Sequence, residues 1–139
     1  MDLTKYVFVS LALCGIVFSG CERASLVDSD ELQPTLTDIQ ANIFDTSCAL
    51  SGCHGNASPQ LGQDLSAGQS FSNIVNVPSV EQPSLLRVKP GDPEDSYLFR
   101  KIRGDANIAG AQMPLGRSPL SAEQIALVES WILDGALDN

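Results

Sequence analysis

Apolar positions along the chain form one dense run near its start and four periodic stretches after it. The dense run, Tyr6 to Phe18, covers thirteen residues, too few to span a bilayer comfortably and suited to the core of an export signal. Further on, Leu36, Ile39, Ile43 and Phe44 fall at offsets 0, 3, 7 and 8, one apolar face of a helix predicted over residues 35–46. In "SAGQSFSNIVN", Ser66 and Gln69 stand in capping-box register ahead of Phe71, Ile74 and Val75, which predicts a second helix. The stretch "GDPEDSYLFRKIRG" predicts a third, with Asp92 as N-cap, Pro93 at the first helical position and acids in the first turn. Arg100, Lys101 and Arg103 near its end suit the helix dipole, and Gly104 stops it. The last helix has a capping box at Ser121 and Gln124, an apolar face of Ile125, Val128 and Ile132 beside Trp131, and Gly135 as C-cap. Strand signals are absent apart from an ambiguous "LLRVK" at 85–89. The predicted class is therefore all-α, with no internal repeat.

Between these helices lie long segments, 55–65 and 104–119, rich in Gly, Pro, Asn and Gln. So much loop in a domain of about 105 residues leaves little to bury, and a bound cofactor is one way to supply the missing core. At the N-terminus, Ser19 and Gly20 precede Cys21 in "FSGC", which resembles the bacterial lipoprotein processing site and implies that Cys21 is lipidated. Cys14 is a poorer candidate because the bulky Leu13 precedes it, and a plain secretory signal cut near Ala24 is the alternative. Residues 22–34 are polar and aperiodic. The expected organisation is a signal peptide at 1–20, a lipid-anchored linker at 21–34 and one domain at 35–139. The product is expected outside the cytosol, periplasmic or at the cell surface, held to a membrane by its lipid.

Charge narrows the partners. Seventeen acidic residues stand against eight basic ones in 139, a net charge of −9. Such a surface repels phosphate backbones, so nucleic acid is excluded as a partner, and a protein with a basic docking patch is favoured.

The densest chemistry is "TSCALSGCHG", where Cys48, Cys53 and the chain's only histidine, His54, fall within seven positions. Outside the cytosol the two thiols can close a disulfide. With His54 they also make three of the four ligands of a structural zinc site, although no other Cys or His remains to complete it. A Cys-His nucleophile lacks a visible orienting partner. Two thiols beside an imidazole are also what tethers a haem, by addition to its vinyl groups and ligation of its iron. Four residues separate the cysteines here, where the usual attachment motif has two. Small Ala49, Ser51 and Gly52 permit the bulge this needs, with Gly52 free to take a positive φ. Met113, in "QMPLG", is the only methionine after the signal, and its thioether is a soft ligand for the opposite face of an iron. A disulfide leaves His54 and Met113 without a role.

The run "VKPGDPEDSYLFRKIRG", followed by "QMPLG" and "LSAEQIALVESWILDGA", resembles the C-terminal half of the planctomycete-type cytochrome c domain, a class I cytochrome c fold. The resemblance covers residues 88–136, and the first helix with Cys48, Cys53 and His54 completes the layout. It implies N- and C-terminal helices packed across each other and a covalent haem c. In this family pattern Cys48 and Cys53 form thioethers, His54 is the proximal ligand and Met113 the distal one. The implied function is single-electron transfer with redox partner proteins in the bacterial envelope by a monohaem protein that is not an enzyme. The alternative is a haem-free exported lipoprotein with a Cys48–Cys53 disulfide. Arg87, Lys89, Tyr97 and Arg103 are candidates to hydrogen-bond the haem propionates, and Trp131 is expected in the core near Phe44.

Overall fold

The computed structural model describes residues 31–55 and 57–139. The apolar run, Cys21 and most of the 21–34 linker lie outside them. Among the described residues there are helices, turns and isolated bridges but no strand, and no helix is long and apolar enough to cross a membrane.

Helix α1 opens with an α-wound turn, Leu36–Ile39, capped by the Thr35 side chain, and continues as a π-wound stretch, Gln40–Cys48. The predicted face is buried, with Leu36, Ile39, Ile43 and Phe44 all 6% exposed or less. The change of winding extends that face. At roughly 100° per residue an α-helix turns Cys48 about half a turn away from Ile39. With the i→i+5 bonds and about 4.4 residues per turn of a π-helix, Ile39, Ile43 and Cys48 come onto one side. Cys48 is accordingly buried with the core.

Helix α2, Ser70–Ile74, is shorter than its sequence suggests. Gly68 takes φ +76 and interrupts the first turn, so the Ser66 carbonyl accepts from Gln69 and Ser70 but no capping box forms. Helix α3, Tyr97–Arg103, begins after Ser96 and not after Asp92. Asp92 does cap a turn, accepting from the Asp95 N–H at 3.1 Å, but Ser96 is extended and fully buried. Its hydroxyl accepts from Lys89 N–H and donates to the Asp92 carbonyl, both at 2.8 Å. The "LLRVK" segment makes only isolated bridges, and its Leu86 and Arg87 carbonyls take the first N–H groups of α3. Those orphan donors are thus satisfied from a distant segment, where the sequence pointed to a local acid. Gly104, at φ +80, ends the helix as expected.

Helix α4, Ala122–Leu133, carries the predicted capping box between Ser121 and Gln124. Its C-terminus is a Schellman closure, with Gly135 N–H on Ile132 O and Ala136 N–H on Trp131 O. Leu127, Val128, Trp131 and Ile132 are buried in the core, at roughly 1.5–3 kcal/mol per large apolar side chain. It packs on α3 and on the first turn of α1, and Trp131 joins Phe44 in one apolar cluster. The two ends of the domain meet, since Leu36 and Thr37 N–H groups donate to Asn139.

Candidate functional site

A cavity of about 520 Å³ lies between the end of α1, the loops that follow it, α3 and the 113–117 loop. Its walls are mainly apolar, with Phe44, Leu65, Leu98, Ile102 and Val128 among them. Cys48, Cys53, His54 and Met113 all line it.

The four-residue spacer is absorbed by a closed loop. Ala49 N–H bonds to Phe44 O at 2.7 Å and ends the π winding, leaving Cys48 at the helix terminus. Cys53 N–H then returns to Leu50 O, and His54 N–H to Cys48 O, each at 3.0 Å. Gly52 turns the loop at φ +81 with nothing near its Cα substituent position. Gly55 lies flat against the Ala49 carbonyl, and a side chain there would sit 2.6 Å from the carbonyl carbon. The ends of the loop are pinned to each other, so both cysteines and the histidine face one space despite their separation in sequence.

Both thiols are free. Burial, reinforced by the neighbouring Cys53, pushes the Cys48 thiol up to about 11, so it stays protonated at neutral pH, although Arg117 opposes the shift. The His54 ring is half-buried, and burial lowers its pKa against the pull of hydrogen bonds to the Gln63 and Gln60 backbone. The imidazole is thereby kept neutral, the form that ligates metals. Its Nδ1 lies 3.2 Å from the Gln63 carbonyl, which only accepts, so the proton belongs on Nδ1 and the free lone pair on Nε2.

Met113 reaches the cavity through α3. The Lys101 ammonium donates to Ala109 O at 2.7 Å, and the Lys101 carbonyl accepts from Met113 N–H at 2.9 Å. Tyr97 adds a second stitch, its hydroxyl accepting from Ala109 N–H. The loop is therefore fastened to one helix at both ends, and the Met113–Pro114 peptide bond that follows is cis.

Of the four residues suggested for propionates, Arg87 and Tyr97 line the cavity, and Lys89 and Arg103 do not. Lys89 is engaged by Asp92 and Asp95, and Arg103 by Glu94 and Asp105. The acids at 92, 94 and 95 thus serve ion pairs as well as a turn. Sequence reasoning missed Glu81, Lys101 and Arg117, which line the same space. Lys101 shares a helix face with Leu98 and Ile102, a signal available in the periodicity, and it pairs with Glu81 at 3.1 Å. Glu81 and Arg117 sit in loops and had no such signal. Among the described residues no group of three or more His, Cys, Asp or Glu side chains is arranged to hold a metal ion. No family model, curated protein or solved structure matches this chain.

Proposed function

We propose that the protein is a monohaem c-type cytochrome of the class I kind, related to the planctomycete-type domain, that transfers single electrons in the bacterial envelope. The observation that carries this is the convergence of Cys48, Cys53 and His54 from one short stretch and Met113 from a distant one on one largely apolar cavity. A volume of about 520 Å³ is within the roughly 300–1,000 Å³ of cofactor sites. Bound there, haem supplies a one-electron ferric/ferrous couple.

The chain's own residues define the rest. Cys48 and Cys53 offer free thiols for thioether bonds. His54 offers Nε2, with its ring oriented by the Gln63 carbonyl. Met113 would offer a thioether, a soft ligand of the kind that raises the potential of a haem iron. The apolar walls disfavour the extra charge of the ferric state and act in the same direction. The protein is on this proposal an electron carrier and not an enzyme, exported and tethered through a lipid at Cys21. Its acidic surface selects redox partners with a basic patch.

Expression with a c-type maturation system tests the proposal. A haem absorption that stays with the chain after denaturation is expected. A colourless protein, with or without a Cys48–Cys53 disulfide, would overturn it.

A further inference from the structure

Behind His54 the chain takes an unusual turn. Leu61, at φ 55, and Gly62, at φ 62, are consecutive left-handed residues. A leucine persists in that region only where its surroundings over-determine it. What surrounds it is Arg87, buried at 7% exposure and without a carboxylate partner among the described residues. Its Nη2 donates to Leu61 O at 2.9 Å, and its Nη1 to Gly62 O at 3.2 Å and to Asn73 O at 2.8 Å. The rigid fork of a guanidinium fits such a set, and it ties the strained turn to the last turn of α2. The next residue is Gln63, whose carbonyl faces His54 Nδ1.

We propose that Arg87 is a positioning residue for His54. By gathering the carbonyls of the 60–62 turn it fixes the Gln63 carbonyl, and through that carbonyl the orientation and tautomer of the imidazole. The functional meaning rests on His54 as iron ligand, but the geometry does not, and the two are separable by experiment.

His54 is the only histidine, so histidine labelled with heavy nitrogen reports one imidazole in the full chain. In reduced wild-type protein, expressed with c-type maturation, a single Nδ1-protonated tautomer with a slowly exchanging ring proton is expected. In Arg87→Met, that proton and the Gln63 and Leu65 amides should exchange about tenfold faster or more, while α4 amides keep their rates. Arg87→Lys, which retains a donor on a similar stem, should restore part of the protection. Wild-type exchange at these sites in Arg87→Met, or an equal acceleration throughout α4, overturns the proposal. Where Arg87→Met does not fold, wild-type exchange in Arg87→Lys does the same. A colourless wild-type protein with the ring proton still protected by Arg87 removes the haem assignment and supports this one.

Discussion

Replacing Gly55 by alanine tests the closed loop that brings both cysteines to the cavity. The new methyl carbon would stand 2.6 Å from the Ala49 carbonyl carbon. Non-bonded carbons rest at about 3.5–4.0 Å, so the two backbone segments must separate by about 1 Å. Neither partner is a side chain that can rotate away, which places the effect at the upper end of overpacking, about 3 kcal/mol. Gly52→Ala is the control in the same loop. Its Cβ meets nothing within 4 Å, and only the left-handed φ of +81 opposes it, at about 1 kcal/mol. With about 4–8 °C per kcal/mol for a domain near this size, the expected falls in Tm are about 12–24 °C for Gly55→Ala and about 4–8 °C for Gly52→Ala. Thermal unfolding followed by far-ultraviolet circular dichroism, on proteins carrying equal haem, measures both. A Gly55→Ala protein as stable as Gly52→Ala would show that the Ala49–Gly55 approach does not close the loop.

Three further outcomes are expected. Met113→Leu should lower the reduction potential and abolish the Met–iron charge-transfer band, and an unchanged spectrum would assign the sixth ligand elsewhere. Cys48→Ser should leave at most one thioether, seen by mass spectrometry and by the haemochrome spectrum; two surviving attachments would refute the role given to Cys48. Hydrogen bonds from Arg103 hold the Glu94 and Asp105 carboxyls below their ordinary values of 4.5 and 3.8. Because the folded-state values are depressed, this contribution is present above the ordinary values and is lost as pH falls through the folded ones. Arg103→Gln should therefore shrink the drop in urea midpoint between about pH 6 and about pH 3, and an undiminished drop would deny the network any role in acid sensitivity.

Local signals were legible and non-local ones were not. The capping box of α4 and its glycine closure depend on residues within a few positions of each other, and both formed as read. The buried face of α1 was equally plain, but its π winding was not, because no residue type announces it. At α3 the local cue failed: Asp92, Pro93 and the acids describe a plausible start, yet Ser96 is held extended by Lys89 and the first N–H groups are taken by the 85–89 segment. That competition is invisible to a pattern confined to one stretch. Cys48, Cys53, His54 and Met113, singled out by type and spacing, line one cavity, and the residues that hold its loops gave no comparable signal. Lys101 looked like a dipole complement and is the fastening point of the Met113 loop.

The spacing between the cysteines then takes on a different meaning. In a regular α-helix, residues beyond Phe44 would carry Cys48 away from the face set by Ile39, and a loop of any length would have to bring it back. Here the helix itself delivers Cys48, because the wider winding carries the apolar face to its last residue. The spacer has only to let the chain reverse between Cys48 and Cys53 and to return His54 N–H to the Cys48 carbonyl. Four residues with a left-handed glycine among them suffice for that reversal. The longer spacer and the π winding are therefore coupled features.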